Sequence, residues 1–308
     1  MEGIWLDNGV FSFRSDLHEP EPQSGWCKAE VICASICGTD LELQQGYAAY
    51  SGIPGHEFVA RVIDPESPLY QQRVVSRINI GCGQCEYCQS GIVEHCKDRR
   101  VIGIRNQAGA FAERVVLPTC NLIPIPEELS DNRACLVEPV AAAHQLLTQI
   151  EVRGDVLIIG AGRLGQLVSM VLATHGVNCS LLVRNPERKL IAEHVNVVTD
   201  ADPGRYDVVV DCSGSASGLN TAISGVRPRG TIVLKSSLSN GANVDWNAIV
   251  VNEITVVGSR CGPFETAINW LTHSFDADDA LKVFPLVEFD AALAAASNPQ
   301  VFKVLLQP

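Results

Sequence analysis

The sequence predicts an α/β protein built of two units, an irregular, mostly β unit followed by a doubly wound parallel sheet. Three observations predict it. Short β-branched runs broken by Gly and Pro fill about the first 130 residues. After "PIPEELSDNRACLVEP" near-continuous apolar runs alternate with amphipathic segments, the pattern of strands covered on both faces. Three glycines, Gly160, Gly162 and Gly165, directly follow one such run, "VLIIG", and open a helix.

The elements follow in order. "KAEVICA", "EFVARVI" and "FAERVVLP" read as N-terminal strands between turn residues. In the second unit "VLIIG", "CSLLV", "DVVVDCSG", "TIVLKSS" and "ITVVGS" read as buried strands, and "RLGQLVSMVLATHG", "PERKLIAEHV" and "ASGLNTAISGV" as the intervening helices. In the first helix Leu164, Leu167, Val168, Val171 and Leu172 fall on one stripe of a 3.6-residue period. The tail, "VFPLVEFDAALAAASNPQVFKVLLQP", reads strand, helix, strand.

Composition narrows the function. The chain has 308 residues, 46% of them hydrophobic, enough for two cores. A formal net charge of −12 argues against nucleic acid or an anionic membrane as partner. No apolar run approaches the roughly 18 residues of a membrane span, and "MEGIWLDNGVFSF" lacks the basic start of a secretory signal. The expected location is the cytoplasm, where twelve cysteines are thiols or ligands rather than disulfides. Seven of them, Cys27, Cys33, Cys120, Cys135, Cys179, Cys212 and Cys261, have no ligand-like spacing and read as small buried apolar groups.

The glycine loop points to a dinucleotide. The first glycine makes the turn, the second lets backbone approach a pyrophosphate, and the third lets helix pack on strand. Arg163 and Leu164 lie within the same loop, at the helix N-terminus that receives the phosphates. NAD sites place Asp or Glu at the end of the second strand, but "SLLVRNPERK" puts Arg184 there, with Arg188 and Lys189 close by. An arginine suits the additional phosphate of NADP and offers the bare ribose hydroxyls no acceptor. NADP is therefore the expected cofactor, with NAD as the alternative if Arg184 only covers the adenine.

Cys82, Cys85, Cys88 and Cys96, in "GCGQCEYCQSGIVEHC", have the spacing of a tetrahedral zinc site. Four sulfurs fill that ion's coordination shell, so the segment reads as a structural staple. An iron–sulfur cluster is the rival for four cysteines, and nothing else in the chain suggests electron transfer.

A second set is dispersed: Cys37, Thr39 and Asp40 in "ICGTD", His56 and Glu57 in "PGHEF", Glu138 and His144 in "LVEPVAAAH". In this order, with the four-cysteine lobe and the glycine loop, these segments resemble the zinc-dependent alcohol dehydrogenase branch of the medium-chain dehydrogenase/reductase family. Their pattern is most similar to its polyol and threonine dehydrogenase members, and the resemblance spans nearly the whole chain.

The resemblance implies a GroES-like catalytic domain in two pieces, residues 1–138 and 271–308, with a structural zinc lobe at about 81–97. Between the pieces it implies a Rossmann domain, 139–270. It implies two zinc ions per chain, the catalytic one held by Cys37, His56 and an acidic residue. Glu138 matches the family's Glu-Pro position; Glu57 matches a residue that supports the ligands in some members and is a ligand in others. A thiolate, a carboxylate and a neutral imidazole around Zn²⁺ leave roughly zero net charge and an open fourth position. Thr39 is then placed to accept the alcohol's proton as hydride passes to the nicotinamide. Family members often carry a proton-relaying histidine five residues after the zinc cysteine; here Glu42 stands there, either as a relay or as a solvated surface residue. Asp40 is expected to brace its loop, His144 to pack as a polar helix residue, and Arg260 to line the nicotinamide end.

The expected activity is hydride transfer between the cofactor and a secondary alcohol, polyol or amino alcohol, or its carbonyl, in a homodimer or homotetramer paired through "ITVVGS". Two alternatives stand beside it: a zinc-independent NADPH reductase of quinones or enones, and a non-enzymatic nucleotide sensor with structural zinc only. No charged residue is evidently reserved for a substrate carboxylate or phosphate.

Overall fold

An Asn8–Gly9 turn, both residues at positive φ, closes the first hairpin, β1 (Gly3–Asp7) with β2 (Val10–Arg14). The structure, a computed structural model, describes residues 1–185, 187–192, 195–237 and 243–308. They form two compact units, Met1–Glu138 with Ala267–Pro308, and Pro139–Thr266.

In the first unit β3 (Trp26–Ser35) begins with buried Cys27, Ala29 and Val31 alternating with more exposed neighbours, then becomes buried on both faces at Cys33, Ala34 and Ser35. The helix α1 (Gly38–Gln44) follows, then β4 (Glu57–Val62), β5 (Arg73–Ser76) and β6 (Asn79–Ile80). The cysteine segment supplies the single turn α2 (Glu86–Gln89), before β7 (Arg100–Val101), β8 (Arg114–Pro118), β9 (Leu122–Pro124) and α3 (Asp131–Ala134). The helix α4 (Val137–Gln149) leads into the second unit.

There the strands are β10 (Val156–Ile159), β11 (Cys179–Leu182), β12 (Asn196–Val198), β13 (Tyr206–Asp211), β14 (Val226–Leu234) and β15 (Thr255–Gly258). They pair all-parallel in the order β12-β11-β10-β13-β14-β15. The chain reverses direction across the sheet between β10 and β13, the switch point at which such sheets bind ligands. Among their helices, α5 (Arg163–Thr174) buries Leu167, Val168, Val171 and Leu172, α6 (Ala216–Gly225) follows β13, and α7 (Trp246–Val251) precedes β15. Leu157, Ile159, Val209 and Ile232 form the centre of this unit's core. The strand β15 is an edge, with Val256 exposed on it and Trp246, Val250 and Val251 exposed on α7.

One expected helix is absent from the described residues. Of "PERKLIAEHV", residues Glu187–Ala192 form a turn and irregular chain, while Pro186, Glu193 and His194 lie outside the described residues. The reason is local competition: Asn185 Oδ1 takes the Glu187 N–H at 3.0 Å and Gln166 Oε1 takes the Ile191 N–H at 2.7 Å.

The helix α8 (Phe264–His273) returns the chain to the first unit, followed by β16 (Leu281–Pro285), α9 (Phe289–Ser297) and β17 (Lys303–Gln307). The first unit's large sheet runs β16-β17-β3-β4-β5-β9, with β8 also on β3. β17 pairs antiparallel with β3, Leu305 opposite Ser35, so the last strand lies beside the segment that leads to Cys37. Phe111 and Phe289, ring centroids 5.9 Å apart, join the tail helix to the core. No helix among the described residues is long and apolar enough to cross a membrane.

Candidate functional site

Two elements of the first unit converge, α1 and β4. Cys37 is the N-cap of α1, and the Asp40 side chain reaches back to its N–H at 2.8 Å, as in a capping box. His56 and Glu57 stand where the chain enters β4. Cys37, His56 and Glu57 each bring one ligating atom within 4.8 Å of the others. Glu138, half-buried in the first turn of α4, is not part of that set.

The surroundings prepare the three for a cation. His56 and Glu57 are buried, whereas Cys37 and Thr39 are half-buried, so access is from the α1 side. Glu57 Oε2 accepts from both the Ser35 hydroxyl and the Lys303 ammonium, leaving Oε1 buried without a hydrogen-bond partner. Burial works against ionisation of Glu57, but Lys303 and His56 hold its carboxyl below the usual range. Asp40 Oδ1 faces His56 Nδ1 at 3.7 Å, and neither atom has a hydrogen-bond partner. Burial disfavours a charged imidazole here, yet Asp40 and the Cys37 sulfur outweigh it and push the His56 pKa up to about 10. Burial also raises the Cys37 thiol. A buried thiol and imidazole that otherwise retain protons, beside an ionised carboxylate, form a set that a dication enters by displacing those two protons. The donors fit zinc, and the His56–Asp40 contact is of the kind that orients a ligating imidazole.

Thr39 Oγ1 lies 3.9 Å from Cys37 Sγ. Glu42, one turn further along α1, is exposed. Sequence reasoning assigned Asp40 only to its loop and missed its place against His56; it missed Lys303 and Ser35 entirely. The available signal for Lys303 was a lone cation inside the apolar run "VFKVLL".

The second cysteine group is assembled locally. Cys82, Cys85, Cys88 and Cys96 have their sulfurs within 4.8 Å of one another, compatible with one tetrahedral ion. Gly81 permits the approach, since a Cβ there would stand 2.5 Å from Cys88 Sγ. Backbone amides of Gln84 and Cys85 hold the Cys82 thiol down to about 7, favouring the thiolate that a metal needs.

In the second unit the glycine loop opens onto a cavity of about 320 Å³ lined by Gly160, Gly162, Arg184, Arg188, Cys212 and Ser213, among others. A Cβ on Gly160, at φ +96°, would lie 2.8 Å from Ser213 Cα, and one on Gly165 would lie 1.9 Å from Gly160 O. A Cβ on Gly162 would meet nothing within 4 Å, so this backbone faces open space, as a phosphate cradle requires. Arg184 Nη1 donates to Ser217 Oγ at 3.0 Å, holding the guanidinium toward α6. Arg188 Nε is buried without a hydrogen-bond partner, and its pKa is lowered by burial and by neighbouring Arg163. The loop and its arginines fit an anionic dinucleotide. Leu164 is half-exposed at the start of α5, and Arg260 is exposed beyond β15.

A parallel sheet with a phosphate-binding glycine loop, joined to a β unit that gathers S, N and O donors, defines the class of zinc-dependent nicotinamide dehydrogenases. Comparison with known proteins agrees. Residues 23–127 match the alcohol dehydrogenase GroES-like domain and residues 164–273 the zinc-binding dehydrogenase domain. The chain is 30% identical to L-threonine 3-dehydrogenase of Xanthomonas oryzae pv. oryzae, over 93% of this chain and 94% of that one. It is 28% identical to D-arabinitol dehydrogenase 1 of Uromyces fabae, over 91% and 89%. A zinc-binding dehydrogenase of Sinorhizobium meliloti 1021, solved with NADP, superposes with a TM-score of 0.88 at 27% identity, covering 100% and 99%. The chain belongs to the medium-chain dehydrogenase/reductase family, in its zinc-dependent alcohol dehydrogenase branch, and is an oxidoreductase.

Proposed function

We propose that the protein is an NADP-preferring dehydrogenase of a secondary alcohol, polyol or amino alcohol, with Cys37, His56 and Glu57 as ligands of a catalytic zinc and the four-cysteine lobe holding a second, structural zinc. The observation that carries this is the meeting of Cys37, His56 and Glu57 within 4.8 Å. When bound, zinc supplies Lewis acidity toward an alcohol oxygen and the nicotinamide supplies a hydride acceptor. The chain's residues do the rest. Cys37 and Glu57 contribute two negative charges and His56 none, so the ion is neutralised without being overfilled. Asp40 orients His56, and Lys303 with Ser35 turns Glu57 so that Oε1 is left for the metal. Thr39, on the accessible side, takes the alcohol's proton, and exposed Glu42 exchanges it with solvent. A screen of alcohols and carbonyls, followed by reduced-nicotinamide absorbance, tests the reading; no turnover of any of them sinks it.

The preference for NADP rests on Arg184 and Arg188 around the loop cavity and is supported by the NADP held by the S. meliloti relative. Arg184→Asp is expected to weaken NADP binding about 10–100-fold, the value of one or two charge-assisted hydrogen bonds, and to spare NAD. Titrating both cofactors checks this, and tighter NAD binding by the unaltered protein overturns it.

The exposed edge β15 is proposed to pair with its copy across a two-fold axis. Val256→Lys would set two ammonium groups against each other there, and light scattering is expected to show half the native mass.

A further inference from the structure

The chain between α1 and β4 runs from the far end of the helix that Cys37 caps to His56 and Glu57, so its last residues adjoin the ligand set. This loop forms one wall of a cavity of about 550 Å³, within the size range of small-molecule sites. Trp5, Ala48, Tyr50, Ser51, Arg105 and Asn106 are among the lining residues.

The cavity is shaped at a cost. Ala48, Ala49 and Asn106 have φ of +59°, +47° and +52°, so both walls turn through left-handed backbone, which is costlier for the two alanines than for the asparagine. The Tyr50 hydroxyl lies 2.7 Å from Ile53 O and 3.0 Å from Gln107 O, joining the loop to the opposite wall. Ile53, three residues before His56, belongs to the same lining, so the chain itself carries this wall to the ligand set.

Arg105 is the charged residue in this lining. It is exposed and, among the described residues, no carboxylate pairs with it; Arg61, Arg99 and Arg100 share that lack, and Arg105 differs from them in lining the cavity. An unpaired guanidinium in a chain of net charge −12 presents a fork suited to a carboxylate or phosphate.

We propose that this cavity receives the end of the substrate remote from the reacting carbon, and that Arg105 selects alcohols bearing an anionic group, carboxylate or phosphate. This rests on the dehydrogenase reading above and names its substrate class.

The test uses the zinc-loaded enzyme, both cofactors and matched alcohols: 2-butanol against 3-hydroxybutyrate, and glycerol against glycerol 3-phosphate. The unaltered enzyme is expected to favour the anionic member of at least one pair by tenfold or more in kcat/KM. Arg105→Met is expected to raise KM for that member about 10–100-fold, with kcat and the neutral alcohol unchanged. Arg105→Lys is expected to recover part of the loss, since it keeps the charge without the fork. The pair that responds tells carboxylate from phosphate. Calorimetric titration of 3-hydroxybutyrate and glycerol 3-phosphate into both proteins supplies a readout independent of turnover. Neutral alcohols turned over as well as anionic ones, with no Arg105-dependent anion binding, overturn the subsite alone. Arg105-dependent anion binding without turnover supports the subsite and overturns the dehydrogenase reading. Neither binding nor turnover overturns both.

Discussion

Cys37→Ser is expected to lower turnover by about a thousandfold or more and to remove one zinc per chain while leaving the fold intact. The size follows from the several kcal/mol of charge stabilisation that a metal Lewis acid supplies, at about 1.4 kcal/mol per tenfold in rate. A neutral hydroxyl replaces a thiolate, so the site loses its soft anionic donor and half of its compensating charge. Stability is spared for a local reason. Residue 37 is the N-cap of α1, with φ −95° and ψ 164°, and the bond from its N–H to Asp40 does not involve the side chain. Serine is a better N-cap than most residues, so the variant is expected to melt no lower than the parent stripped of that zinc, and below the zinc-loaded parent only by the binding energy of the lost ion. The four-cysteine lobe should retain its ion, and cofactor affinity should not change. Metal analysis, thermal unfolding and steady-state rates check these outcomes together. A variant that loses one zinc but keeps its rate would establish the zinc-independent reductase instead.

The chemistry was legible where its residues are close in sequence. The lobe cysteines lie within sixteen residues, and the glycine loop between β10 and α5 is continuous, so spacing alone indicated what each could bind. The parallel strands were legible because burial on both faces leaves no polar alternation to obscure them, as in Val156–Ile159. Cys37 and His56 were found only as short segments in a familiar order. That Glu57 and not Glu138 joins the cluster with Cys37 and His56 was not readable from sequence, because the position of the Glu57 carboxylate is a product of the β3–β4 pairing. Lys303 could not be matched to Glu57 from sequence, since the two meet only after β17 docks on β3. Arg105 was opaque for a different reason: being unpaired is a property of neighbours. Over residues 187–192 the expected helix is missing because periodicity cannot register side chains such as Asn185 and Gln166 that take backbone amides.

Lys303→Met is expected to destabilise the metal-free protein by about 3–5 kcal/mol, the usual penalty for removing one partner of a buried ion pair. Both side chains are almost wholly enclosed, at 4% and 0% exposure, so water cannot replace the ammonium. Glu57 would keep its Ser35 bond, but its charge would lack the cation on that side. Three consequences separate this from a packing defect. First, added zinc should restore much of the loss, because the metal offers Glu57 a new positive partner; thermal unfolding with and without chelator measures it. Second, the double variant Glu57→Gln with Lys303→Met should lose far less than the sum of the singles, as the buried charge is gone from both sides. Third, pH should matter with a definite sign. Glu57 has a depressed pKa in the folded parent, so its contribution is present above the unfolded glutamate pKa, about 4.3, and is lost as pH falls through the folded value. In the variant, burial without Lys303 raises that pKa, and Glu57 protonates at a higher pH. The gap between parent and variant should therefore be largest near neutrality and close on acidification. A gap that is the same at all pH values, and indifferent to zinc, would mean that Lys303 merely fills space beside β3 and does not position the third ligand.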